Sequence, residues 1–201
     1  MIVSDKISSK IATAMATVNI IPAEEIPLYQ YCYSFLLDNI FFSVYVILIG
    51  VLSRNPVGGI MILLVLMPLR FLTGGYHANN PLICSVISFS MPPAVLLISF
   101  VISFSPTHYS IYILALSLLI LFLLSPVDNI NKPISSCKRR KLRNALFVYS
   151  ILLVITFTLT IICKAAYCSF LISICVFTSA CSVALGLLKN HRFKKLHAHS
   201  M

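Results

Sequence analysis

The sequence predicts an all-α integral membrane protein with about six transmembrane helices and an N-terminal amphipathic helix in the membrane interface. The first observation is composition: 59% of the residues are hydrophobic and only 10% are charged, whereas soluble domains hold about 45–50% apolar and about 25% charged residues. The second is the grouping of apolar residues into runs of roughly 20 positions, the length that a helix needs to span a bilayer. We therefore expect a single transmembrane domain over residues 1–201.

The N-terminal segment, residues 1–28, has a pattern of its own. Its apolar residues recur at helical spacing and form one stripe: Ile7, Ile11, Met15 and Val18. Lys6 and Lys10 fall on other faces, so the helix is suited to the headgroup layer. Pro22 and Pro27 are expected to end it.

The apolar runs that qualify as membrane spans cover residues 34–52, 56–72, 81–104, 109–124, 145–163 and 167–188. Short connections predict that neighbouring spans are antiparallel. Pro92 and Pro93 are expected to interrupt the third span. A re-entrant third segment is the alternative, but it would place the two basic segments of the chain on opposite sides of the membrane.

Positive charge is concentrated on one predicted side of the membrane. The chain carries 15 Lys and Arg residues and a net charge of +10. With both termini in the cytoplasm, all of these residues except Arg54 and Lys164 face the cytoplasm, as the positive-inside rule requires. The largest clusters lie in the loop over residues 126–144 and in the basic tail over residues 189–201. This asymmetry predicts a multi-pass protein of the cell membrane that contacts anionic lipid and not nucleic acid.

The seven cysteines predict neither a disulfide framework nor a metal site. No pair forms a CxxC motif, and most lie in or beside apolar runs, where cysteine behaves as a small hydrophobic residue. Cys137 lies in the basic loop, which should face a reducing cytosol. We therefore expect no metal ion and no cofactor.

One polar stretch between two apolar runs, RFLTGGYHANNPLIC from Arg70 to Cys84, holds most of the reactive side chains of the first half. It places His77 and Cys84 at the same predicted face of the membrane, the cytoplasmic one. A histidine near a cysteine indicates nucleophilic catalysis by a thiolate. The alternative interpretation is a connecting or re-entrant loop whose histidine is only interfacial.

Helix-cap residues explain how the histidine and the cysteine could meet. On an unbroken helix, residues seven positions apart stand about 10 Å apart along the axis, too far for a hydrogen bond. Asn80 is a good N-cap, so a helix beginning at Pro81 would hold Cys84 in its first turn. The helix dipole and free amides there favour a thiolate, and the preceding loop can fold back to bring His77 close.

Other polar residues are candidates for supporting roles. Gly74 and Gly75 permit the backbone geometry of such a return, or simply end a helix. Arg70 could bind a substrate carboxylate, or extend to the lipid headgroups as a positive-inside residue. Asp38 and Asn39 fall inside the first span, where an acidic residue is a candidate functional group. The alternative is that Asp38 is hydrated at the membrane–water interface.

A second polar stretch, residues 125–134, lies on the same predicted side and is rich in proline and asparagine. Asp128 or Asn131 could orient His77 as a third group. The alternative is an ordinary loop with helix caps.

The two stretches resemble the signatures of the accessory gene regulator B (AgrB) family, membrane endopeptidases of Gram-positive quorum sensing. The run from Arg70 to His77 with Cys84 seven positions later resembles the first signature, and residues 125–134 with their Asn-Lys-Pro-Ile ending resemble the second. The resemblance implies a cysteine peptidase with His77 and Cys84 catalytic, acting on a small amphipathic precursor peptide. It identifies no third catalytic residue, so the choice of Asp128 rests on its position alone.

The first function hypothesis is therefore a membrane cysteine endopeptidase with its active site at the cytoplasmic face. His77 takes the proton of Cys84, and the thiolate cleaves the precursor near its C-terminal end through an acyl-enzyme thioester. By the resemblance, an internal Cys or Ser of the peptide then closes a thiolactone or lactone ring.

The alternative hypothesis is a small membrane transporter or lipid-interacting protein. Few intramembrane charges and no visible inverted repeat argue against it. We also expect a homodimer, because about six short spans offer little volume around a peptide and small residues allow close helix approach: Gly58, Gly59, Ala180 and Ala184.

Overall fold

The computed structural model describes residues 2–74, 81–102, 107–127 and 135–198. Within these ranges the chain forms α1 (Ile2–Thr17), α2 (Ile26–Leu52), α3 (Pro56–Thr73), α4 (Pro81–Ile102), α5 (Thr107–Leu124), α6 (Ser136–Ile162) and α7 (Ala166–Ala198). A single 3-10 turn, Ala23–Glu25, leads into α2. The described residues contain no strand, so the predicted all-α fold is confirmed.

Helices α2, α3, α4, α6 and α7 are long and apolar enough to cross a membrane, and α5 is a shorter apolar helix. The prediction of about six membrane helices after an N-terminal helix is therefore confirmed. Some bounds differ from the prediction. α2 begins at Ile26, so Pro27 lies in its first turn and does not end α1. α6 begins inside the basic loop, at Ser136.

Side-chain caps fix where two of the helices begin. The side chain of Asn55 accepts a hydrogen bond from the amide of Gly58 at 2.9 Å, and Pro56 follows at the first helical position. Ser135 accepts one from the amide of Lys138 in the same way. The bundle thus uses local sequence signals where helices meet their connections.

α4 runs through Pro92 and Pro93 without a break, so the predicted interruption of this span is wrong. Proline has no N–H, and Pro93 therefore leaves the carbonyl of Phe89 without its helical donor. The hydroxyl of Tyr45 on α2 donates to that carbonyl at 2.7 Å. Because lipid offers a backbone carbonyl no other donor, this bond allows the helix to continue.

α3 contains a proline with the same compensation. Pro68 lies inside the helix and frees the carbonyl of Leu64. The hydroxyl of Tyr149 on α6 donates to that carbonyl. At each of these two prolines, a tyrosine from a neighbouring helix both pairs the backbone and ties two helices together.

α7 is the central helix of the bundle and packs against α3, α4, α5 and α6. Leu171 and Val176 on this helix are fully buried. The buried hydroxyl of Ser173 donates to the carbonyl of Ser110 on α5 at 2.8 Å, so a polar side chain in the core is paired. Dispersion and these bonds hold the other helices around α7.

α1 packs against α2 mainly through small residues, and of its apolar stripe Met15 takes part, since its Sδ atom accepts a hydrogen bond from the hydroxyl of Tyr33 on α2 at 3.2 Å. Ser4, Ser8 and Ala12, spaced four positions apart, are fully buried. Ile7 and Ile11 of the stripe remain exposed. Small side chains let the two helices approach closely, and Ile7 and Ile11 stay on the outer surface of α1.

Glycines bring α2 and α3 into close contact. A Cβ atom on Gly59 would lie 3.1 Å from the carbonyl oxygen of Val46 and 3.2 Å from the Cα atom of Gly50. Gly58 is also buried, and Ala180 on α7 is buried as well. These small residues are used inside the chain, so they lend no support to the homodimer, which stays a prediction.

The described parts of the two polar stretches meet at one end of the bundle. The amide of Val127, just after α5, donates to the carbonyl of Thr73 at the end of α3 at 3.0 Å. At the opposite end, Asn55 before α3 donates through Nδ2 to the hydroxyl of Tyr167 on α7. Because consecutive helices run in alternating directions, the end of α3, the start of α4 and the end of α5 lie at the same end of the bundle.

We expect Tyr45→Phe to lower the free energy of unfolding by about 1 kcal/mol, because it leaves the carbonyl of Phe89 unpaired. Pro93→Ala should remove most of this penalty, since the new amide can pair with the same carbonyl. Unfolding of the single and double variants in detergent measures the coupling.

The control for this double-mutant cycle is Tyr112→Phe on α5, at a residue that is 72% exposed. It should change stability by less than about 0.5 kcal/mol. An effect of Tyr45→Phe that is the same with and without Pro93→Ala would contradict the pairing.

Candidate active site

Cys84 lies in the first turn of α4, as the sequence predicts, because the helix begins at Pro81. Its side chain is partly exposed, whereas Cys175 on α7 is fully buried. The amides of a first helical turn have no helical acceptor and form the positive end of the helix dipole. The thiol of Cys84 is therefore both accessible and close to a group of backbone donors.

Arg70, near the end of α3, extends toward the turn that carries Cys84. Its Nη2 atom donates to Oγ of Ser88 at 2.8 Å. That Oγ donates in turn to the carbonyl of Cys84 at 2.8 Å. A short chain of hydrogen bonds thus holds the guanidinium beside the start of α4.

A cavity of about 400 Å3 opens here between α2, α3, α4 and α7. Its polar lining comprises Asp38, Asn39, Arg70, Cys84, Ser85, Ser88 and Ser182. Most of its apolar lining is aromatic: Phe35, Phe41, Phe42, Phe71 and Phe89. The volume falls within the about 300–1,000 Å3 of typical ligand sites, and a few polar groups in an apolar wall are typical of such sites.

The cavity is lined by residues that were separate candidates in the sequence analysis. Asp38 and Asn39 were candidates only because they lie inside an apolar span, and the structure places both in the cavity that Cys84 lines. Ser88 could have been found from its spacing of one helical turn after Cys84. Ser182 on α7 has no such signal, because a serine in a distant apolar helix is not distinctive.

Gly74 has a structural role beyond ending α3. Its φ of +70° lies in the left-handed region, where residues with a side chain are strained. A Cβ atom here would also lie 3.0 Å from the carbonyl oxygen of Val127. Gly74 therefore lets the segment after α5 lie directly against the rim of the cavity.

The catalytic histidine of the prediction, His77, lies outside the described residues. So do Gly75, Asn80 and Asp128. The pairing of His77 with Cys84 and the orienting role of Asp128 stay predictions. The described neighbours Gly74, Cys84 and Val127 all belong to the same end of the bundle.

Comparisons with known proteins place this arrangement in a family. Residues 4–185 match the family model described as AgrB, accessory gene regulator B, and this range includes every residue that lines the cavity. Neither the comparison with curated proteins nor the comparison with solved structures finds a match. Because the family match covers nearly the whole chain, the chain belongs to the accessory gene regulator B family, which acts in the processing of a precursor peptide in quorum sensing.

Proposed function

We propose that this protein is a membrane cysteine endopeptidase that cleaves a small amphipathic precursor peptide near its C-terminal end and closes the retained fragment into a thiolactone or lactone. The observation that carries the proposal is the position of Cys84, accessible in the first turn of α4 and lining a cavity with Arg70. Membership of a family that processes a precursor peptide supplies the substrate class.

The cleavage step uses Cys84 as nucleophile and His77 as base. His77 accepts the thiol proton, and the thiolate of Cys84 attacks the carbonyl carbon of the scissile peptide bond. The peptide bond then breaks, the leaving amine takes the proton from His77, and the retained fragment stays on Cys84 as a thioester. The free amides at the start of α4 support negative charge close to the reacting sulfur.

The ring-closing step exchanges one ester bond for another. A thiol or hydroxyl within the bound fragment attacks the thioester carbonyl, its proton passes to the base, and Cys84 leaves as the thiolate. Thioester-to-thiolactone exchange is nearly balanced in bond energy, so the site must hold the fragment folded and exclude water. The aromatic lining of the cavity, with Phe42, Phe71 and Phe89, is suited to both tasks.

The remaining cavity residues would position the substrate. Arg70, held by Ser88, presents a guanidinium that can bind a substrate carboxylate. Asp38 adds a carboxylate from α2 to the same cavity. We place this site at the cytoplasmic face of the cell membrane, because the basic start of α6 lies at the same end of the bundle as the cavity.

Cys84→Ala should abolish release of the C-terminal fragment from a co-expressed precursor, with a loss of about a thousandfold or more, because no thioester can form. Cys163→Ala is the matched control, since this exposed cysteine caps the other end of α6. Immunoblotting for the fragment measures both. Undiminished cleavage by Cys84→Ala would exclude the mechanism.

His77→Ala should slow modification of Cys84 by iodoacetamide at neutral pH, because removal of the base lowers the thiolate fraction. The rate is followed by mass spectrometry in a variant whose other cysteines are replaced by alanine. His108→Ala, at an exposed position on α5, should leave the rate unchanged. If His77→Ala also leaves it unchanged, the reaction needs another base.

Arg70→Gln should raise the KM for the precursor about tenfold or more with a smaller change in kcat, if the guanidinium binds substrate in the ground state. Ser88→Ala should cause a smaller rise of the same kind, since it removes only the partner that orients Arg70. Arg54→Gln removes a charge at the opposite end and serves as control. An unchanged KM in Arg70→Gln would remove this residue from substrate binding.

A further inference from the structure

A second cavity lies outside the candidate active site, between the end of α5 and the first turns of α6. Its volume is about 500 Å3, and none of its lining residues lines the Cys84 cavity. Arg139, Arg140 and Arg143 all contribute to its wall. Three guanidinium groups around one cleft point to an anionic ligand.

The chain itself holds little negative charge to balance these arginines. Its five acidic residues are Asp5, Glu24, Glu25, Asp38 and Asp128, so α3, α4, α5, α6 and α7 contain none. The start of α6 carries five cationic side chains between residues 138 and 143. Asp128 can balance at most one of them, so this end of α6 keeps a positive potential that attracts an anionic ligand.

Ser125 supplies a second, independent indication of a ligand. Its side chain is only 7% exposed and lines the cleft. Within the described part of the chain, its buried Oγ makes no hydrogen bond. A buried hydroxyl without a partner is costly, and rotation of this side chain toward the cleft would let it donate to an oxygen of a ligand.

The cleft also has an apolar side. The rings of Phe122 on α5 and Phe147 on α6 line it, with centroids 6.2 Å apart. Phe147 is 58% exposed, and its neighbour Val148 is 66% exposed, so this side faces the lipid around the bundle. A ligand with an anionic head and an apolar body would satisfy both parts of the cleft, which a free anion would not.

We propose that this cleft binds the phosphodiester of an anionic glycerophospholipid. The guanidinium groups of Arg140 and Arg143 donate to the phosphate oxygens, and Oγ of Ser125 donates to a further oxygen. The acyl chains extend along Phe122 and Phe147. The site would distinguish an anionic lipid from a zwitterionic one, and it does not depend on the proposed peptidase activity.

The test uses the purified full chain in neutral detergent, with dioleoylphosphatidylglycerol as probe and dioleoylphosphatidylcholine as reference. Titration by native mass spectrometry should show one anionic lipid bound about tenfold more tightly than the zwitterionic lipid. Arg140→Gln with Arg143→Gln should lower that affinity about tenfold or more. If the double variant does not fold, Arg143→Lys, which keeps the charge but loses the bidentate geometry, should still weaken binding.

The matched control is Lys138→Gln with Lys141→Gln, which removes the same charge from the same turns of α6 at residues that do not line the cleft. It should weaken binding by less than about threefold. Ser125→Ala should weaken lipid binding severalfold but leave the lipid-free protein as stable as before, since the lost hydroxyl had no partner there.

Several results would overturn the assignment. Equal losses in the two double variants would indicate general surface attraction, and no preference for the anionic lipid would exclude the site. Displacement of the lipid by inorganic phosphate at equal concentration would indicate a soluble anion as the ligand. Tighter binding of a synthetic acidic peptide to the same arginines would indicate a peptide-binding surface.

Discussion

A backbone carbonyl inside a membrane-spanning helix needs a donor from the protein, and the packing of this bundle depends on how the carbonyls freed by proline are paired. Tyr45 donates to the carbonyl of Phe89, four positions before Pro93, and Tyr149 donates to the carbonyl of Leu64, four positions before Pro68. Each of these bonds joins two helices. The helical hydrogen bond that proline removes is therefore replaced by a hydrogen bond from a neighbouring helix.

The first of these contacts bears directly on the candidate active site. The ring of Phe89 lines the cavity and packs edge-on against Tyr45, with centroids 4.8 Å apart, and against Phe42, with centroids 5.9 Å apart. The hydrogen bond from Tyr45 and these ring contacts fix α4 against α2. Aromatic packing therefore helps to hold the first half of α4, which carries Cys84, against α2.

Charge is distributed very unevenly along this chain. Four of the five acidic residues precede residue 39, whereas most of the 15 Lys and Arg residues follow residue 131. The arginines of α6 line a cleft that continues into an apolar, lipid-facing surface. The amide of Val127, two residues after Ser125, donates a hydrogen bond to the carbonyl of Thr73 at the rim of the other cavity. The arginine-lined cleft and the candidate active site therefore share one connecting segment.

Features that depend on local patterns could be predicted from the amino-acid sequence. Long apolar runs gave the membrane helices, and Pro81 gave the start of α4 that places Cys84 in a first turn. The two polar stretches, residues 70–84 and 125–134, together indicated the family that the match over residues 4–185 confirms. Signals of this kind are short-range, so no tertiary information was needed to find them.

Features that depend on contacts between distant residues became visible only in the three-dimensional fold. It showed that α4 continues through Pro92 and Pro93, and that the donor for the carbonyl freed by Pro93, Tyr45, lies on another helix. It brought Asp38 and Ser182 into one cavity with Cys84, although neither residue is near the cysteine in sequence. A hydrophobic pattern specifies which face of a helix is apolar, but the neighbour that this face meets is set by packing of the whole bundle.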